Sequence, residues 1–195
     1  SKLNKNINIS EPFKNLFTQG MVCHETYKDL SGAWLYPEEI TKIDNKKAIK
    51  NDDKTEVIIG PPESMSKSKK NTIDPEIMIQ KYGADSVRWF ILSDSPPEKD
   101  VQWSDQGVIS SSKFLQKIWD LNIQIINLKE SNDTKKDGLD FEVQINLFTK
   151  KISKSIESFQ FNVSIALFYE IYRVLKKALD KKISKKILVR NMIHV

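Results

Sequence analysis

The sequence predicts a mainly α chain, with a small β-rich segment towards its N-terminus and a helix bundle after it. Three observations lead there. Between residues 13 and 62, short apolar runs are separated by Gly, Pro and Asp, the pattern of strands and turns. From Asp74 onward, apolar residues recur every three or four positions, as in helices with one buried face. The polar stretches between these helical runs are short, which favours neighbouring helices in a bundle. The length of 195 residues allows one domain or two small ones.

Leu16 to Val22 reads as a buried strand. Lys28 to Tyr36 has the form of a hairpin turning near Gly32, and Asn45 to Lys54 is polar and reads as a loop. Thr55 to Gly60 reads as a short strand that Pro61 and Pro62 should stop. Asp74-Pro75 is a helix start: the carboxylate accepts free N–H groups, and Pro in the first turn loses no hydrogen bond. That helix should end at Tyr82-Gly83, and a second should run from Ala84 to about Ser93, before Pro96 and Pro97.

Longer helices follow. Val108, Leu115, Ile118, Trp119, Ile125 and Ile126 mark the inner face of the first, and Ser131 to Asp140 reads as a connection. About Phe141 to Phe159 forms the next, with Leu147, Ile152, Ile156 and Phe159 expected inward. About Asn162 to Leu179 forms another, with Val163, Ala166, Leu167, Ile171, Val174 and Ala178 on its stripe. A further helix begins near Ser184. No internal repeat or sustained heptad is present.

Charge is unevenly spread. Residues 150–195 hold 11 Lys and Arg against 3 Asp and Glu, whereas residues 1–149 hold 20 against 23. A basic C-terminal part suits contact with a polyanion such as RNA, and equally suits a solvated helix face. Lys176, Lys177, Lys181, Lys182, Lys185 and Lys186 are the candidates for RNA phosphate contact. The single cysteine excludes an internal disulfide framework and favours a reducing compartment. No apolar run approaches the roughly 18 residues of a membrane span. Cys23 and His24 lack the partners of a zinc site, and strand neighbours point to opposite faces, so no metal site is expected. Trp34, Trp89, Trp103 and Trp119 fall in apolar patterns and are expected in cores, and Asp52-Asp53 is expected to form a solvated turn. The start without Met and the apolar C-terminal end predict a segment of a longer protein.

The run Glu63-Ser64-Met65-Ser66-Lys67-Ser68-Lys69-Lys70-Asn71 carries the chemistry. A loop rich in ammonium and hydroxyl groups either binds phosphate oxygens, stabilising charge on a leaving pyrophosphate, or is an exposed basic turn. The order of residues separates the two. Met65-Ser66-Lys67-Ser68, then Asn71, Asp74-Pro75 and Tyr82-Gly83-Ala84-Asp85-Ser86-Val87-Arg88, resembles the KMSKS signature of class I aminoacyl-tRNA synthetases and its downstream sequence. Within that class the chain resembles leucyl-tRNA synthetases. Glu11 to Val22, the insertion from Cys23 to Pro62, Ser93 to Val108, and Lys113 to Trp119 carry the likeness.

The resemblance implies the β-rich end of a catalytic domain (1–70), connecting helices (71–103) and a truncated helix bundle of the anticodon-binding type (104–195). It implies that the parent enzyme activates leucine with ATP and Mg²⁺ and esterifies tRNA(Leu). Lys67 is implied as the catalytic lysine, and Ser64, Met65, Ser66, Lys67 and Ser68 as the ATP-contacting loop. Ser64 stands where the family usually has Lys, leaving Lys69 and Lys70 as candidates for a second ammonium. The histidine-containing ATP signature of the family is absent, so the implied partner is an N-terminal catalytic half of the same chain, and the fragment alone is expected to be inactive. The implied location is cytoplasmic. Two other readings stand beside this one. One is a non-catalytic tRNA- or RNA-binding module; the other is a valine, isoleucine or methionine synthetase.

Overall fold

The computed structural model describes residues 11–129 and 135–192. Its strands are β1 (Val22–Lys28), β2 (Trp34–Leu35), β3 (Ile40–Lys42), β4 (Ala48–Lys50), β5 (Glu56–Ser64) and β6 (Val101–Gln102). Its helices are α1 (Pro75–Tyr82), α2 (Ala84–Asp94), α3 (Asp105–Ile126), α4 (Lys135–Glu157), α5 (Phe161–Asp180) and α6 (Lys185–Met192). The strands form one sheet in the order β2-β1-β5-β4-β3, and β6 pairs in parallel with the start of β1. A mainly α chain with a small sheet at its N-terminal side is therefore what the sequence builds.

The hairpin between β1 and β2 turns where expected. Gly32 takes φ 88°, and the Asp29 carboxylate accepts the N–H groups of Ser31 and Ala33, both at 2.9 Å. Leu16 to Met21 is not a buried strand. It forms no strand, and Leu16 is 89% exposed. The segment is tied down at its end instead. The Gly20 N–H donates to the Pro97 carbonyl at 2.8 Å, where a Cβ would collide with Lys99 backbone. The Asn45–Lys54 loop contains a strand, β4, because Ala48 fits a closed space against Val57. β5 does not stop at its prolines. It reaches Ser64, since Pro61 and Pro62 lie opposite a register irregularity in β1 between His24 and Thr26.

Among the described residues, three clusters of buried side chains organise the fold. Tyr27, Leu35, Ala48 and Val57 close the sheet. Phe90, Val101, Trp103 and Val108 join α2, β6 and α3, with Val22, Met65 and Ile73 packed on them. Ile125, Phe141, Ile145, Ile152, Ile171, Leu175 and Leu188 belong to the core of the helix bundle. Trp89 of α2 touches Phe114 of α3 and Phe168 and Tyr169 of α5, and its Nε1–H donates to the Tyr169 hydroxyl at 3.3 Å. α2 is thereby fixed to the bundle.

α1 and α2 have the expected starts. The Asp74 carboxylate accepts the Glu76 N–H at 2.8 Å, and Gly83 stands between the helices at φ 83°. The inner faces of the longer helices differ in part from expectation. Trp119 is 62% exposed and Ile126 is exposed, whereas Phe114 and Leu121 are buried. Trp119 lies two residues from Leu121, about 200° around the helix, so one face cannot bury both. In α4 the buried line is Phe141, Ile145, Ile152 and Ser155; Leu147 and Ile156 are exposed. Phe159 lies beyond α4 in a left-handed turn at φ 58° and stacks on Phe17 at 4.7 Å. In α5, Ser164, Ile165, Ile171, Leu175 and Ala178 are buried, and Val163 and Ala166 are outside that line. The connection before α4 is shorter than expected, since Lys135 to Asp140 are already helical; Ser131 to Thr134 lie outside the described residues.

Ile145 and Ile171 are fully buried in the bundle core. Replacing either by Ala should cost about 2–5 kcal/mol, while Trp119→Ala should stay within about 0.5 kcal/mol. Urea unfolding of the variants measures both, and equal losses would contradict the assigned faces.

Candidate functional site

The loop after β5 is built from strand pairing outward. Cys23 of β1 lies opposite Ser64, and the Met65 N–H donates to the Val22 carbonyl at 3.2 Å. Met65 packs against the cluster around Phe90 and Trp103, so it anchors the loop by its apolar side chain. Ser66 then caps a 3₁₀ turn over Lys67–Lys69. Its Oγ accepts the Lys69 N–H at 3.3 Å and lies 3.1 Å from the Ser68 Oγ. Lys70 ends the turn in a left-handed conformation at φ 54°.

Asn71 holds this turn from below. It is 0% exposed. Its Oδ1 accepts the Ser66 N–H at 2.8 Å. Its Nδ2 faces three carbonyls, those of His24 at 3.2 Å, Glu63 at 3.1 Å and Ser64 at 3.4 Å. The sequence places Asn71 in the signature's downstream run without a role of its own. The available signal is a carboxamide following a run of charged residues, and only the fold shows that it points inward.

The loop's lysines separate by partner. Lys69 pairs with Glu63, and the Lys70 ammonium lies 5.0 Å from the centre of the Tyr36 ring. Lys67 is exposed and has no ionic or hydrogen-bond partner for its ammonium among the described residues. Ser64 and Ser68 are exposed, and Ser66 is half-buried. The fold thus brings Ser66, Lys67 and Ser68 together on one short turn, while Lys69 and Lys70 are engaged elsewhere.

The candidate RNA-contacting lysines lie at the far end of the chain. Lys176 and Lys177 are on the last turns of α5, Lys181 and Lys182 follow it, and Lys185 and Lys186 open α6. All but Lys185 are exposed, and Lys185 is half-buried. Among the described residues no three His, Cys, Asp or Glu side chains gather to hold a metal ion. Among them, too, no helix is long and apolar enough to cross a membrane.

A second polar group lies in a cleft of about 730 Å³ between the sheet and the start of α3. Glu25 accepts hydrogen bonds from Tyr27 Oη at 2.8 Å and Lys42 Nζ at 2.7 Å. Burial alone would raise the Glu25 carboxyl, but these two partners outweigh it and hold it below the ordinary value. Burial and the adjacent Glu25 push the Tyr27 phenol up. His24, whose Nδ1–H donates to the Glu25 carbonyl at 3.0 Å, is held below its ordinary value chiefly by burial. The sequence offered no signal for this cluster, because Lys42 reaches it from another strand.

Comparison with known proteins gives one consistent relationship. Residues 60–104 match the family described as tRNA synthetases class I (I, L, M and V). The leucine–tRNA ligase of Rickettsia bellii is 42% identical over 188 residues, which are 96% of this chain and 22% of that protein. That of Neorickettsia sennetsu is 44% identical over 169 residues, 87% of this chain and 19% of that one. Among solved structures, LeuRS of Agrobacterium radiobacter K84, in ternary complex with tRNA and LeuAMS, superposes with a TM-score of 0.67 at 22% identity. That likeness covers 95% of this chain and 21% of the other, and it shows a shared fold. The chain spans about a fifth of the length of the curated relatives it matches.

The depressed values of His24 and Glu25 fix how stability should vary with pH. In both cases the unfolded chain binds protons more readily, so stability falls as pH falls. The His24 contribution should be lost below about pH 6.5 and the Glu25 contribution below about pH 4.5, their ordinary values. Urea midpoints across pH 4–8 should show a shallower fall for His24→Phe in the upper window and for Glu25→Gln in the lower.

Proposed function

We propose, from the premise that the chain belongs, as a segment, to the class I tRNA synthetases and pairs with their leucine-type members, that it forms part of a leucine–tRNA ligase. Such an enzyme activates leucine with ATP and transfers it to tRNA(Leu). This segment supplies the loop that meets the ATP phosphates and helices that meet tRNA.

The observation that carries the reading is the ammonium of Lys67, exposed and unpartnered on a capped turn between two hydroxyls. The donor set fits a polyphosphate. Lys67 supplies a compact charge, and Ser66 and Ser68 supply O–H donors. As pyrophosphate leaves, negative charge grows on its oxygens, and an ammonium already held in place lowers that barrier without reorganising. Mg²⁺ would arrive on the ATP phosphates. Ser64 presents only a hydroxyl where the family usually has an ammonium, and with Lys69 and Lys70 engaged, Lys67 carries the loop's phosphate charge alone.

In this reading residues 1–70 end the catalytic domain, 71–103 connect it, and 104–195 begin the tRNA-binding bundle. The catalytic half of the same protein, leucine, ATP and tRNA(Leu) are the partners, and the cytoplasm is the compartment. Lys176, Lys177, Lys181, Lys182, Lys185 and Lys186 are assigned to tRNA phosphates.

Lys67→Ala in the full-length protein should lower leucine-dependent ATP–pyrophosphate exchange by about 100-fold or more and leave tRNA affinity nearly unchanged. Unaltered exchange would remove Lys67 from the mechanism. Replacing Lys182, Lys185 and Lys186 by Gln should weaken tRNA binding and reduce its logarithmic salt dependence by roughly one per lost phosphate contact. A filter-binding series in increasing salt measures this, and an unchanged slope would place the tRNA elsewhere.

A further inference from the structure

We propose that Asn71 is the positioning residue of the phosphate-binding loop. Its carboxamide sets the place from which Lys67 projects, and that position governs activation. The catalytic half of the inference rests on the function proposed above; the positioning half does not.

The geometry makes the group unusual. A single buried side chain ties the loop to both strands beneath it. Its Oδ1 accepts from the Ser66 N–H on the loop, and its Nδ2 lies against carbonyls of β1 (His24) and of the end of β5 (Glu63 and Ser64). The Ser66 N–H so held belongs to the residue that caps the Lys67–Lys69 turn. A shift of the carboxamide therefore moves the cap, and the cap moves Lys67. No other described side chain hydrogen-bonds to the backbone of both β1 and the loop.

The orientation of the amide is fixed by its neighbours. One end faces a donor and the other faces only acceptors, so a flipped amide would set oxygen against three carbonyls. This makes Asn71→Asp a sharp test. The variant is nearly isosteric, but an ionised carboxylate turns an oxygen towards the carbonyls of His24, Glu63 and Ser64. Burial among those dipoles should raise the pKa of the new carboxyl. Once protonated, it again offers one donor and one acceptor.

The test uses the full-length protein. Hydrogen exchange of peptides covering residues 62–72, and tryptic cleavage after Lys67, Lys69 and Lys70, read the loop directly. Leucine-dependent ATP–pyrophosphate exchange reads its consequence. Asn71→Asp at pH 8 should expose the loop to exchange and trypsin and lower kcat for pyrophosphate exchange by about 10- to 100-fold, the size expected of a misplacement near 1 Å. Lowering the pH towards 6 should restore part of the loop protection and of the activity relative to wild type. A merely destabilising substitution would not recover on acidification. Asn71→Ser, which keeps one hydroxyl, should fall between wild type and Asp, and it serves if the Asp variant does not fold. Wild-type loop protection in a folded Asn71→Asp or Asn71→Ser protein would overturn the inference. A loosened loop with unchanged kcat would overturn its catalytic half. Absence of exchange with leucine in the wild-type protein would instead remove the proposed function, and the loop measurements would still decide whether Asn71 positions the turn.

Discussion

The antiparallel pairing of β1 with β5 is the constraint on which the site depends. It is the longest ladder in the sheet, and it delivers the chain to Ser64 opposite Cys23. The irregularity near Glu25 admits two prolines into β5 and lets the strand continue past them. Without that extension the loop would leave the sheet at Gly60 and lose the Met65 anchor. With it, Met65 enters the cluster around Phe90, and Asn71 folds back beneath the turn. The result is a loop held by an apolar anchor and a buried carboxamide that still presents one free ammonium.

The same cluster connects the loop to the bundle. Val22, Met65 and Ile73 pack on Phe90 of α2, Val101 of β6, Trp103 just after β6 and Val108 of α3. α2 in turn sets Trp89 among Phe114, Phe168 and Tyr169. A continuous set of packed side chains thus runs from the Lys67 turn to the helices proposed to meet tRNA. Packed interiors resist small displacements, so the loop and the first part of the bundle keep a fixed relationship.

Much of this was legible in the sequence, and the parts that were not have physical reasons. The helix starts at Asp74 and Ala84 are written in local chemistry, an acidic cap followed by Pro and a glycine between helices. The 3.6-residue period located the long helices but misassigned faces, because Trp119, Leu147 and Val163 are apolar residues on sides that the described residues leave exposed. β4 was hidden because its burial rests on one small residue, Ala48. Pro61 and Pro62 looked like a stop because their tolerance depends on an irregularity in a different strand. At the candidate site, the order of Met65-Ser66-Lys67-Ser68 singles out the loop, whereas the pairing of Lys69 with Glu63 and the hydrogen bonds of Asn71 depend on contacts that only the fold creates.

In the proposed function, this chain is part of an enzyme that activates leucine. The most direct measurement is amino-acid-dependent ATP–pyrophosphate exchange by the full-length protein, with leucine, isoleucine, valine and methionine run in parallel. Exchange with leucine alone is expected. Exchange with one of the other three would keep the class and overturn the substrate, and a folded, tRNA-binding protein with no exchange would contradict the catalytic reading altogether.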